Sequence, residues 1–591
     1  MKKKAYLIIP AIVLLLIQNG FAQSPGEYKS WNPASDSLTV MEGQAWPREV
    51  KNYYDRLPAK AESSVRPEVW NLSENSAGLA LRFITDAKEI IIRYTVGGGI
   101  QMPHMPATGV SGVDMYSKTI DGQWVWCAGK YSFGDTIEYH FSNLVSNDQH
   151  VNNREYTLYL PLYNSVKWME IKVPSQNLFN PLRVRKDPPI VVYGTSIAQG
   201  GCASRPGLAW PAILGRKMDR PVINLAFSGN GRLEKEVLNM ISGIKAKIFV
   251  LDCLPNMVQP GFTSVELKKR LVDAVQMLHE KQPGVPVLLT DHAGYTDEFT
   301  NAVRQKQYQD ANKASREVFD SLVSSGDKNI YRLSKEEIGL DIECTVDGTH
   351  PNDLGMMRYA EAYDKKIRDI LNEPAGKIST MVPVTQRRDA ATYDWETRHY
   401  KVMAYNRAHD PETIFLGNSI THYWSGEPAS TRSAGPESWK KYFGTMNVVN
   451  MGFGWDRVEN VLWRVYHGEL DHIRPKQMVM MIGTNNLELN SDKEIIEGLQ
   501  FLIRAIQTRQ PSMHILVLGI FPRRDLEKRV ALFNKQLAAV KFNANVHYAD
   551  AGKLFLQADQ KLNESLFSDG LHPNENGYGK LGEFIHARLI W

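Results

Sequence analysis

At roughly 150 residues per domain, 591 residues make room for three or four domains. A composition of 43% hydrophobic, 23% charged and 10% aromatic residues argues against general disorder, collagen-like repeats and a membrane bundle. The formal charge is +4, three units of which come from Lys2, Lys3 and Lys4, so a chain trimmed of its leader carries about +1 and has no electrostatic footprint for nucleic acid or an anionic membrane.

The chain opens with those lysines, a 13-residue apolar stretch from Ala5 to Ile17, and Gly20-Phe21-Ala22 before Gln23. This pattern predicts a secretory signal peptide, residues 1–22, cleaved after Ala22. The apolar stretch is shorter than the roughly 20 residues that span a bilayer, so stable membrane insertion is not expected. The predicted location is periplasmic or secreted. Four cysteines, Cys127, Cys202, Cys253 and Cys344, allow three complete pairings, with buried free thiols as the alternative, and their spacing matches no zinc site.

Residues 23–180 are aromatic and β-like. Glu89–Val96 and Tyr156–Leu160 are rich in β-branched and aromatic residues, and turn signals such as Gly97-Gly98-Gly99 and Asp121-Gly122 bound the runs. An all-β, jelly-roll-like sandwich is predicted. From 181 to 375 short apolar strands, Ile190–Tyr193, Ile248–Leu251 and Val287–Leu289, alternate with helical periodicity, as at Val265–Lys281. A polar, proline-containing stretch reads as a linker at 376–394. The α/β texture returns over 395–591, with strands at Thr413–Leu416, Met478–Ile482, Ile515–Leu518 and Val546–Tyr548. Both α/β regions are predicted to be doubly wound, flavodoxin-like domains.

Four short blocks occur in the same order in both halves. Tyr193-Gly194-Thr195-Ser196-Ile197 and Leu416-Gly417-Asn418-Ser419-Ile420 each place a serine just past a strand, where it is either a nucleophile or a helix cap. Asn224-Leu225-Ala226-Phe227-Ser228-Gly229-Asn230 pairs with Asn450-Met451-Gly452-Phe453-Gly454-Trp455-Asp456. Such a turn is either a plain loop or a donor of a backbone N–H to an oxyanion. Leu251-Asp252-Cys253-Leu254-Pro255-Asn256 pairs with Ile482-Gly483-Thr484-Asn485-Asn486, each offering an asparagine amide. Asp347-Gly348-Thr349-His350-Pro351-Asn352 pairs with Asp569-Gly570-Leu571-His572-Pro573-Asn574, where a carboxylate could orient an imidazole. Serine and histidine lie 154 residues apart in one half and 153 in the other.

On these residues both halves resemble the SGNH, or GDSL-type, hydrolase superfamily, whose four blocks carry Ser, Gly, Asn and His. The second half is most similar to its platelet-activating-factor acetylhydrolase branch. The resemblance implies two catalytic sets, Ser196, Asp347 and His350, and Ser419, Asp569 and His572. It implies oxyanion holes formed by Gly229 and Asn256 in the first copy and by Asn485 in the second. There Trp455 aligns with the usual glycine and keeps a backbone N–H, with Gly454 as the alternative donor. In the first copy Leu254 replaces a glycine of the third block. Gly112-Val113-Asp114-Met115-Tyr116 resembles the Gly-x-Asp-Leu-Tyr module that precedes SGNH domains. His104 and Asp114 are read first as turn-stabilising residues, with a place at the border of the first site as the alternative.

The chemistry implied is serine esterase acyl transfer with no cofactor and no metal. By fold-level analogy the expected substrate is an acetylated glycan, making the protein a carbohydrate O-acetylesterase. The rivals are a lipid esterase or lysophospholipase, and one active domain paired with an inactive, glycan-binding copy. Glycan, acyl position and oligomeric state are left open.

Overall fold

The computed structural model describes residues 27–144, 154–259 and 261–589. The predicted leader lies outside the described residues.

Alternating burial along the first strands builds a two-sheet antiparallel sandwich. In Glu89–Val96, Ile90, Ile92 and Tyr94 are buried while their neighbours are only half-buried, the period-two pattern of a strand with one face on a core. One sheet runs Tyr28–Trp31, Val166–Pro174, Glu89–Val96, Ile137–Ser142 and Lys130–Ser132. The other runs Phe179–Pro181, Ala80–Thr85, Arg154–Tyr159, Asp114–Lys118 and Trp124–Cys127, with Met41–Glu42 pairing on its flank. Phe83, Tyr94, Leu158 and Ile171 sit in the core between them.

Two parallel sheets follow. In chain order the first has strands Ile190–Gly194, Val222–Ala226, Ile248–Asp252, Val287–Thr290 and Ile330–Leu333, which lie across the sheet as second, first, third, fourth and fifth. Strands Thr413–Gly417, Val448–Gly452, Gln477–Met481, His514–Leu518 and Val546–Ala549 repeat that flavodoxin-like order. Their sequences read as continuous apolar runs because both faces are covered. Val191, Tyr193, Phe249 and Leu251 face one apolar cluster, while Ile190, Val192, Val250 and Leu288 face another on the opposite side. The predicted strands differ from the observed ones only at their ends.

The stretch read as a linker is packed rather than loose. Thr380, Gln386 and Arg388 are buried, and the segment is tied to the second parallel-sheet domain and to the sandwich. Thr380 Oγ1 donates to the Glu494 carbonyl at 2.9 Å, Gln386 Nε2 to the Gly454 carbonyl at 2.9 Å, and the Arg387 N–H to the Ile120 carbonyl of the sandwich at 2.8 Å.

A buried ionic network joins the sandwich and both parallel-sheet domains at this junction. Arg82 reaches Glu155 at 2.9 Å, Glu396 at 3.1 Å and Glu42 at 3.2 Å, while Lys118 reaches Asp219 at 2.8 Å, which also accepts from Trp463 Nε1 at 3.0 Å. Burial pushes the Glu42 carboxyl up, but Arg185 and Arg82 outweigh it and hold the group at about 2. Glu155, facing Arg82 and Arg387, is also held well below the ordinary carboxylate range despite its burial. Both groups titrate lower when folded than when unfolded. Their stabilisation is therefore complete above the ordinary glutamate value of 4.5 and is lost as pH falls toward about 2, on the order of 3 kcal/mol for Glu42. Urea midpoints should be flat from about pH 7 to about pH 5 and fall below about pH 4.5, with a shallower fall in Glu42→Gln. A Glu42→Gln profile parallel to that of the native chain would remove Glu42 from the acid response.

All four cysteines are buried free thiols, so among the alternatives left by their spacing the structure has no disulfide among them.

Candidate active sites

Each serine begins a short helix at the carboxyl end of the first strand of its sheet. Ser196 opens Ser196–Gln199, capped by Thr195, whose side chain accepts the Ile197 N–H, and Ser419 opens Ser419–His422, capped by Asn418 in the same way. The turn into each helix is too tight for a side chain on the preceding glycine. A Cβ on Gly194 would lie 2.7 Å from the Ala198 Cβ, and one on Gly417 would lie 2.6 Å from the Met481 carbonyl oxygen.

The histidine loops fold by local hydrogen bonding. Asp347 Oδ1 accepts the backbone N–H of Thr349 at 3.0 Å and of His350 at 2.8 Å, and Oδ2 meets His350 Nδ1 at 2.7 Å. Asp569 does the same with the N–H of Leu571 at 2.9 Å and of His572 at 2.8 Å, and with His572 Nδ1 at 2.7 Å. Asn352 and Asn574 then cap the long helices that follow. Burial raises both carboxyls, but these donors together with the imidazoles outweigh it and hold Asp347 and Asp569 below the ordinary value. The other ring nitrogen reaches the serine in both copies: His350 Nε2 lies 2.9 Å from Ser196 Oγ, and His572 Nε2 lies 2.8 Å from Ser419 Oγ. A carboxylate that fixes the tautomer, an imidazole and a hydroxyl in series make a proton relay able to activate a serine nucleophile.

The predicted oxyanion residues sit just past the two strands that flank each serine strand, at the same end of the sheet. Gly229 has φ +70° and Trp455, its counterpart, has φ +64°, so both turns present the backbone in the same left-handed form although only one carries a glycine. The residue before each has its N–H taken: Gln199 Oε1 accepts from Ser228 N at 2.9 Å, and His422 Nδ1 accepts from Gly454 N at 3.1 Å. Gly454, the alternative donor of the second site, is therefore not available for an oxyanion, because its N–H is already bound. Burial, with Arg398 and Arg464 nearby, pushes His422 down to about 2, so its ring is neutral and can accept. Asn256 Oδ1 accepts the Gly231 N–H at 3.0 Å, which turns its amide nitrogen to the other side. Asn485 Nδ2 donates one hydrogen to the Asp456 carbonyl at 3.0 Å and retains a second. Where Gly483 takes φ +121°, Leu254 instead starts a 3-10 turn, so the leucine is accommodated by a different local path.

Three features of the sites go beyond the roles that the four blocks imply. Asn224 Nδ2 donates to the Ala198 carbonyl at 2.7 Å and Asn450 Nδ2 to the Thr421 carbonyl at 2.8 Å, clamping the oxyanion strand to the nucleophile helix. Gln199 and His422 aim the following turn, as described, and only their equal offset from the serine could have hinted at it. The third is the walls of the pockets. The first cleft, about 450 Å³, is lined by Leu72, Met102, His104, Met105 and Tyr163 of the sandwich together with Asn230 and His350. His104 does border this site, its ring 5.9 Å from that of His350. Asp114 instead acts as an anchor, accepting from Trp126 Nε1 at 2.8 Å, Arg205 Nη1 at 2.8 Å and Gly207 N at 2.9 Å. The second site is walled differently, by Tyr423, whose ring lies 5.8 Å from that of His572 and whose hydroxyl donates to Asp389 of the connecting segment.

A family model described as "GDSL-like Lipase/Acylhydrolase family" matches residues 187–368, and a second of the same description matches residues 415–580. Residues 28–179 match the model for the "N-terminus of Esterase_SGNH_hydro-type". Human platelet-activating factor acetylhydrolase IB subunit alpha2 is 30% identical over 201 residues, 33% of this chain and 83% of that protein. The human alpha1 subunit is 28% identical over 201 residues, with the same coverage. A solved structure described as a GDSL-like lipase from Bacteroides ovatus is 34% identical, with a TM-score of 0.53, covering 58% of this chain and 98% of that one. A tandem of two such matches behind a matched amino-terminal module, each carrying the serine, histidine and aspartate in contact, places the chain in the GDSL-like lipase/acylhydrolase (SGNH) family of ester hydrolases.

Proposed function

We propose that the protein is an exported, two-site serine esterase that removes O-acetyl groups from carbohydrate polymers. The observation that carries this reading is the pair of relays, Ser196–His350–Asp347 and Ser419–His572–Asp569, each at hydrogen-bonding distance throughout. In each, histidine Nε2 takes the serine proton as Oγ attacks the ester carbonyl. The tetrahedral oxyanion is held by the serine N–H, the turn N–H of Gly229 or Trp455, and the amide of Asn256 or Asn485. Histidine then gives its proton to the leaving alcohol, and a water deprotonated by the same ring releases the acid.

An acetyl group is supported by the acetylhydrolase names of the curated relatives. A hydroxylated alcohol is supported by the polar members of the first cleft, Glu68, His104, Ser228 and Asn230. The different walls of the two sites suit differently placed esters on one polymer, and the amino-terminal leader pattern supports export. The lipid reading draws on the apolar members of the first cleft, Leu72, Met102 and Met105, and on the lipase description of the solved relative. A glycan-binding second copy draws on Trp455, 39% exposed at the oxyanion turn.

A chain-length series of 4-nitrophenyl esters run beside acetate release from a panel of acetylated polysaccharides tests the assignment. Expected are acetate release from at least one polysaccharide and a kcat/KM for acetate about 10-fold or more above that for octanoate. A preference for the long chain with no acetate released from any glycan would replace the carbohydrate reading by the lipid one.

A further inference from the structure

We propose that Asp121, in the sandwich, is a positioning residue for the second hydrolytic site, holding its oxyanion turn through Arg388 and Arg457. This rests on the reading of the Ser419 site as catalytic.

Asp121 sits in the hairpin that joins Asp114–Lys118 to Trp124–Cys127, closed by the Gly122 N–H on the Thr119 carbonyl at 3.0 Å. The hairpin lies directly on the connecting segment: a Cβ on Gly122, which has φ +78°, would meet the backbone nitrogen of Thr385 at 3.0 Å. Two guanidinium groups converge on one carboxylate oxygen, with Arg388 Nη1 at 2.5 Å and Arg457 Nη1 at 2.9 Å from Asp121 Oδ1. Each arginine has its other end on the oxyanion machinery. Arg388 Nη2 donates to the Trp455 carbonyl at 2.9 Å, and Arg457 Nε donates to the Asn485 carbonyl at 3.1 Å. The backbone of both predicted oxyanion residues of the second site is therefore tied to a single side chain of the sandwich.

The tie matters because Trp455 holds a backbone conformation that side chains other than glycine's adopt at a cost, so the turn needs outside support to persist. At the first site the sandwich reaches the strand before the turn, through Arg56 Nη1 on the Ala226 carbonyl at 2.8 Å, and not the turn carbonyl itself. There the corresponding carbonyl, that of Gly229, accepts from Arg232 Nε at 3.1 Å, a residue of the same loop. The side chain of Arg388 is 3% exposed and that of Arg457 13%, so removing the shared carboxylate leaves two neighbouring, largely buried cations to separate, and the carbonyls they hold move with them. Asp121 itself is 39% exposed, which makes its substitution tolerable to the fold.

The test uses the full chain with one site silenced. In a Ser196→Ala background, Asp121→Ala should lower kcat on 4-nitrophenyl acetate about 10-fold with KM changed less than about 2-fold, and Asp121→Glu should recover part of the loss. In a Ser419→Ala background the same Asp121→Ala should leave kcat/KM within about 2-fold. Equal losses at both sites, or no loss at the second, would overturn the proposal while the Ser196→Ala protein still hydrolyses the ester. A Ser196→Ala protein that neither hydrolyses ester nor is labelled at Ser419 by a fluorophosphonate would overturn the catalytic reading of that site, and the proposal with it.

Discussion

Replacing Ser196 and Ser419 together by alanine will lower kcat on 4-nitrophenyl acetate on the order of 10⁴-fold or more. The magnitude follows from the geometry: with Oγ removed, His350 and His572 have no hydroxyl to deprotonate, and only residual binding and oxyanion stabilisation remain. Each single variant should keep the share of activity that belongs to the other domain, so the two singles apportion turnover between sites. The walls differ, sandwich loops over the first serine and Tyr423 with Asp389 beside the second, so the shares should also change with substrate. Full activity in the double variant would end the serine esterase assignment. Complete loss in one single variant would leave the partner domain as a binder.

Alanine at Asn256 or Asn485, each measured with the other site silenced, is expected to cost about 10²- to 10³-fold in kcat with little change in KM. The amide hydrogen in question is offered to a charge that exists only in the tetrahedral state, so the loss falls on the transition state rather than on substrate binding. The orientation of each amide is set by a second contact, Gly231 N on Asn256 Oδ1 and the Asp456 carbonyl on Asn485 Nδ2. Trp455→Gly is the informative partner. Glycine keeps the backbone N–H and accepts φ +64° without strain, so kcat at the second site should stay within about 3-fold. A loss matching that of Asn485→Ala would assign the function to the indole and not to the backbone.

How much of this could be read from residues alone depends on the range of the interactions. The loops Asp347–Asn352 and Asp569–Asn574 are legible because the bonds that join aspartate, histidine and cap lie within a few residues: carboxylate to the N–H groups two and three positions on, asparagine to the helix it caps. The parallel strands are legible because burial on both faces demands unbroken apolar runs. The connecting segment reads as a linker for the opposite reason. Gln386 and Arg388 are polar, and polarity predicts solvent unless distant partners, here Gly454, Asp121 and Trp455, are brought to them. Gly454 reads as an alternative donor because nothing nearby in the chain announces that His422, 32 residues earlier, takes its N–H.

By itself the sequence determined the duplicated α/β architecture, the sandwich ahead of it and the identity of the residues in the two relays, since repeated glycines, caps and apolar runs report local backbone requirements. Only the tertiary structure decided which N–H groups of the oxyanion turns are already taken, which residues wall each pocket, and that one sandwich roofs the first site while bracing the second. Those outcomes rest on contacts between side chains as far apart as Arg457 and Asp121, 336 residues, where buried charge and shape, rather than local propensity, select the arrangement.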